Sequence, residues 1–135
     1  MVTVAFPYSK DIRQAWVQFL QSPIPKIAHN LKMEDRWSRV HFGTAVNNWA
    51  GDTMLNAHIL DCTKGVTGLK FQAFVHFGES GYDDITKPYL SGKGKINRLH
   101  ELPIEKLLLY CGIDSLMTWR LFVKQMRTLG QETYW

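Results

Sequence analysis

Lys26-Ile27-Ala28-His29-Asn30-Leu31-Lys32-Met33-Glu34 carries the change of period on which the fold turns. Its first four residues follow Ser22-Pro23-Ile24-Pro25, where proline ends whatever helix comes before. They are too few for a helix and read as a short buried strand. From Asn30 the spacing becomes helical and runs to Val40, with Gly43 as the stop. A strand that feeds straight into a helix is the building unit of an α/β fold.

The pattern repeats outward from there. Upstream, Val2 to Phe6 is a β-prone run stopped by Pro7. Ser9 or Asp11 caps a following helix whose apolar face is Ile12, Ala15, Trp16, Phe19 and Leu20. Downstream, Asn47 to Gly51 reads as a second short strand or a turn. Asp52 caps a helix through Leu60, with Met54, Leu55, His58 and Ile59 as its apolar stripe. A loop at Gly65–Gly68 and a short helix over Leu69–Phe77 follow. Residues 78–100 are polar and glycine-rich, and read as a long functional loop or a partly mobile one. The last helix opens near Leu102-Pro103 and runs to about Leu129, with Ile104, Leu107, Leu108, Leu116, Leu121 and Val123 turned to a core. There is no internal repeat and no low-complexity tract. Residues 1–135 thus read as a single domain of α/β class, rich in helix.

Composition sets broad bounds. Apolar residues make up 45% and charged residues 21%, the balance of an ordinary globular chain. No stretch approaches the roughly 20 apolar residues that span a bilayer. The N-terminus lacks the basic and small-residue signature of a signal peptide, so a cytoplasmic location is the default expectation. Cys62 and Cys111 are too few for a disulfide framework and read as buried, reduced thiols. A net charge of +4 permits a polyanionic partner without requiring one.

Two places carry chemistry. Tyr110 and Asp114 are four residues apart and share a helix face. Apolar residues surround them on both sides, and an unpaired carboxylate in such surroundings is costly. A divalent metal would remove that cost. The second place is Glu34, with Asp35 beside it as the alternative. An ordinary first-turn acid that offsets the helix dipole has the same signature. Gly92-Lys93-Gly94-Lys95 with Arg98 reads either as a phosphate contact or as a solvated basic loop. The five histidines show no metal-ligand spacing, and the tryptophans read as core.

Together these segments resemble the second and third motifs of the proofreading-type 3′–5′ exonucleases of the DEDD superfamily. The likeness is greatest to the exonuclease domains of family-A DNA polymerases and their phage versions, with a tyrosine-type third motif. Asn30 to Glu34 resembles their His/Gln-Asn-Leu-Lys-aromatic-acid segment; Met33 stands for the aromatic and Glu34 for the commoner aspartate, and motif spacing favours Glu34 over Asp35. Asp52-Thr53-Met54-Leu55 and Gly68-Leu69-Lys70 are similar to further stretches in the same order. The resemblance runs from about Val2 to the end.

It implies a ribonuclease H-like fold with sheet order 3-2-1-4-5, and hydrolysis of DNA during replication through two Mg²⁺ or Mn²⁺ ions. Glu34 and Asp114 would be metal ligands and Tyr110 would orient the attacking water. Asn30, Lys32, Lys93, Lys95 and Arg98 would contact a single-stranded 3′ end. The family's first motif, Asp-x-Glu, has no counterpart: Asp11 is the only acid before Asn30. Val2–Phe6 corresponds to the family's third strand, which implies a domain missing its first two strands, with an open sheet edge and an uncovered apolar face. A second chain would then supply the Asp-x-Glu carboxylates, the chain would self-associate, or it would bind nucleic acid without cutting it. The choice between DNA and RNA stays open at this point.

Overall fold

The computed structural model describes residues 2–90 and 97–131. Lys26–Ala28 (β1) and Trp49–Asp52 (β2) pair in parallel, in the register Ile27 to Gly51 and Ala28 to Asp52, with an irregularity between Lys26 and Ile27. Parallel neighbours need a crossover, and the helix Leu31–Phe42 (α2) provides it. The other helices are Lys10–Gln21 (α1), Thr53–Leu60 (α3), Leu69–Phe77 (α4) and Ile104–Thr128 (α5), with a short 3₁₀ turn at Leu99–Glu101. This is the helix-rich α/β class the sequence predicts, and the sheet has two strands among the described residues.

Local chemistry explains where the elements begin and end. Ser9, not Asp11, caps α1: its hydroxyl accepts from the Ile12 N–H at 3.2 Å. Gly43 closes α2 in the left-handed conformation at φ 70°. Asp52 is 4% exposed and joins two helices at once. Its Oδ1 accepts from the N–H groups of Asn30, Met54 and Leu55, and its Oδ2 from that of Leu31. The starts of α2 and α3 are thereby tied to the end of β2. Asn30 turns the chain between β1 and α2 with φ 69°, a conformation that a short polar side chain tolerates.

The core lies where α3 and α4 pack on α5. Met117, Leu121 and Phe122 of α5 are buried, with Ala57 of α3 and Ala73 of α4. Gly51 lies flat against the Phe122 ring, and a Cβ at that position would collide with it. Small residues here let β2 approach α5 closely. Gln125, also buried, donates to the Thr53 carbonyl at 2.9 Å and fixes α3 to the same helix.

Several expectations change. Val2–Phe6 forms no strand. A strand needs a neighbour to satisfy its backbone, and this run has none among the described residues; it passes α5 instead, with Thr3 near Gly112 and Phe6 edge-on to Trp16. The apolar stripe of α3 is not Met54, Leu55, His58 and Ile59. Thr53 and Ala57 face inward, and Ile59 is 70% exposed. Ile104 is likewise exposed, because α5 begins before it reaches the core. Cys62 and Cys111 are free and exposed rather than buried. Phe71, Phe74 and Val75 of α4 are exposed as well, leaving apolar surface on that helix.

Candidate active site

An open cleft of about 740 Å³ runs between α1, β1, α2 and α5. Trp16, Phe19, Trp37, Phe42 and Trp119 form much of its wall, while Glu34, Lys70 and Asp114 bring charge to it. Glu34 reaches the cleft because α2 leaves β1 at the Asn30 turn, which Asp52 holds. Asp114 reaches it from the middle of α5. The fold thus brings both predicted carboxylates to one cavity.

Asp35 is engaged elsewhere. Its Oδ2 accepts from Arg39 at 2.7 Å and its Oδ1 from the Val46 N–H at 3.0 Å. The Arg39 guanidinium, followed by the Val46 N–H, holds its carboxyl below the usual range. With both oxygens committed, the neighbour that remains for the cleft is Glu34. Glu34 keeps exposed surface, yet the protein around it withdraws enough water to push its carboxyl upward.

Asp114 is not the unpaired acid that the sequence suggested. Lys70, at the start of α4, forms an ion pair with its Oδ1. The Tyr82 hydroxyl donates to the same oxygen at 2.9 Å. The Lys70 ammonium also lies 4.3 Å from the Tyr82 ring centroid and 4.4 Å from that of Tyr110. Tyr110 therefore stands beside its predicted partner with an ammonium against its ring. Burial, then the charge of Asp114, raises both phenols, so each is a neutral hydrogen-bond donor at ordinary pH.

Lys70 and Tyr82 were not foreseen as site residues. A single lysine in the otherwise apolar run Leu69-Lys70-Phe71 is the sequence signal for the first. Tyr82 has no such signal, since it arrives from a chain of turns after Gly81. Of the proposed nucleic-acid contacts, Asn30 serves the α2 turn. Lys32 lines a shallow neighbouring groove with Arg36 and Arg39. Arg98 bonds the Pro88 carbonyl and Glu101, and does not line the cleft. Lys93 and Lys95 lie outside the described residues.

His29 closes β1 beside this site. Thr53 Oγ1 donates to the Ala28 carbonyl at 3.3 Å, which leaves it to accept from His29 Nδ1 at 2.9 Å. Burial lowers the His29 pKa, against the opposing pull of Asp52 and Asp114. A histidine lowered on folding stabilises fully above its unfolded value of 6.5, and that contribution is lost as pH falls through the folded value. His76, also lowered, acts in the same direction, and Glu34, raised, acts in the opposite one. Urea midpoints should therefore fall less between pH 7.5 and pH 5 in His29→Gln than in the wild type. Equal falls would show that His29 titrates freely.

Compared with known proteins, residues 3–129 match the family model for the 3′-5′ exonuclease domain of A-type DNA polymerases. No curated protein and no solved structure matches the chain.

Proposed function

Because the chain belongs to the 3′-5′ exonuclease family of A-type DNA polymerases, we propose that it works at single-stranded 3′ ends of DNA. In this reading it contributes Glu34, Asp114 and Tyr110 to a nuclease site whose Asp-x-Glu carboxylates come from a second chain. The observation that carries the reading is that Glu34 and Asp114, from distant parts of the sequence, line the same cleft.

Exonuclease domains of this family typically use divalent metals. Among the described residues no group of three or more His, Cys, Asp or Glu side chains is placed to hold a metal. Glu34 and Asp114 are the carboxylates on the cleft, and Asp114 is already neutralised by Lys70. Mg²⁺ requires an octahedron of oxygen ligands. The described residues do not fit a two-metal centre, which is why the second chain is part of the proposal. When bound in a completed site, Mg²⁺ or Mn²⁺ would supply the hydrolytic chemistry. Among the described residues each strand of the two-stranded sheet also has an edge with no strand beside it, the kind of place where an added strand gains main-chain hydrogen bonds.

The chain's own residues have simpler tasks. The aromatic walls give bases a surface to stack on. Lys32 and Arg36, along the same side of α2, meet phosphates, while Arg39 in the same groove is paired with Asp35. The neutral Tyr110 phenol presents a donor near Asp114. A second reading, nucleic-acid binding without cleavage, is favoured by the neutralisation of Asp114.

The first reading requires recognition of a 3′ terminus, whereas binding without cleavage does not. Fluorescence anisotropy without divalent ions should show tighter binding of a linear single-stranded oligonucleotide than of a circular one of the same sequence. Lys32→Ala should lower the slope of log affinity against log salt by about 0.7. Equal affinity for linear and circular DNA would remove the 3′-end assignment.

A further inference from the structure

Lys70 occupies an unusual place for a lysine. It sits in the first turn of α4, where a positive charge opposes the helix dipole. Lysine's long stem ordinarily carries the ammonium into water. Here it crosses to α5, where the ammonium pairs with Asp114 and lies against two tyrosine rings. The Tyr82 hydroxyl bonds the same carboxylate oxygen, so Asp114 Oδ1 has two partners. The Lys70 and Asp114 side chains are 34% and 29% exposed, which removes part of the water that weakens surface ion pairs. Two aromatic faces add cation–π attraction to the ammonium. Asp114 and Tyr110 from α5 and Tyr82 from the turn thus converge on the one positive charge that α4 supplies.

We propose that Lys70 is a built-in counter-ion that takes the place of a divalent metal at Asp114. The chain then holds the acidic end of its cleft together without metal, and a metal ion gains Asp114 only by displacing the Lys70 ammonium. The inference rests on the reading of Asp114 as the family's metal-holding position. It goes further by making occupancy of that position a competition within the chain. Lys70 is in this sense a positioning residue: its ammonium lies against both the Tyr82 and the Tyr110 ring, whose centroids are 6.3 Å apart. Displacing it would free both rings to move.

Mn²⁺ binding tests this directly, followed by electron paramagnetic resonance on the full chain. Wild type should show no saturable site that depends on Asp114. Lys70→Gln, which removes the competing ammonium, should gain one. The gain should vanish in the Lys70→Gln/Asp114→Asn double variant. A wild-type site that is lost in Asp114→Asn would overturn the proposal, as would a folded Lys70→Gln that gains nothing. Should Lys70→Gln fail to fold without metal, refolding on addition of Mn²⁺ supports the proposal and failure to refold contradicts it. The 3′-end reading is judged separately, by anisotropy in the absence of metal.

Discussion

Asp52→Ala should destabilise the protein by about 3–5 kcal/mol, a large share of the total stability of a domain this size. Four backbone N–H groups lose their acceptor in a single change, at the starts of two helices. An ordinary helix cap is worth about 1 kcal/mol. Asp52 serves two, and it is buried, so water does not readily replace it. Asp52→Asn should fall between, because an amide keeps one acceptor but turns an NH₂ toward a backbone donor. Urea unfolding followed by circular dichroism measures the difference. A loss below about 1 kcal/mol for Asp52→Ala would mean that the α2 and α3 starts are held by something else. The prediction reaches function as well, since the Asn30 turn that Asp52 holds is what carries Glu34 to the cleft.

The second large effect concerns chemistry. In an assembly that contains the Asp-x-Glu pair, Asp114→Ala should slow 3′-end shortening by about a thousandfold or more, equivalent to about 4 kcal/mol of transition-state stabilisation. Glu34→Ala should do the same. Stability should respond differently to the two changes. Asp114→Ala strands the Lys70 ammonium against Tyr82 and Tyr110 and should lower the melting temperature, whereas Glu34 forms no ion pair among the described residues. Unchanged turnover in either variant would end the assignment of that residue.

Much of this arrangement is readable in the sequence because it is local. The β1–α2 unit follows from four residues after a proline stop and a helical period closed by Gly43. The Asp52 cap follows from its place before an apolar run, and α4 begins and ends where its flanking glycines say. That Asp52 also caps α2 is not readable, since the contact crosses β1 and β2. The β potential of Val2–Phe6 misleads for a related reason: strand propensity is realised only where a neighbour exists. The stripe on α3 fails because a short helix against α5 buries its small residues, Thr53 and Ala57, and leaves Ile59 outside. At the site, spacing and resemblance place Glu34 and Asp114 together, while Lys70 and Tyr82 enter through tertiary contacts that no local pattern encodes.

The described residues span no helix long and apolar enough to cross a membrane. The groove on one side of α2 carries Lys32, Asp35, Arg36 and Arg39, and the aromatic cleft lies on the other; the proposed reading assigns them to the phosphates and bases of a single strand. In the proposed reading the chain would contribute two carboxylates and a tyrosine to a nuclease site, and Lys70 lies against two of these three residues, Asp114 and Tyr110.

The most direct test of that account is degradation of a labelled single-stranded oligonucleotide from its 3′ end, in Mn²⁺, by this chain alone, with its oligomeric mass determined in the same sample. The account predicts that the oligonucleotide stays intact. Shortening products that disappear in Glu34→Ala would contradict it, and would mean that the chain or its oligomer completes the site by itself.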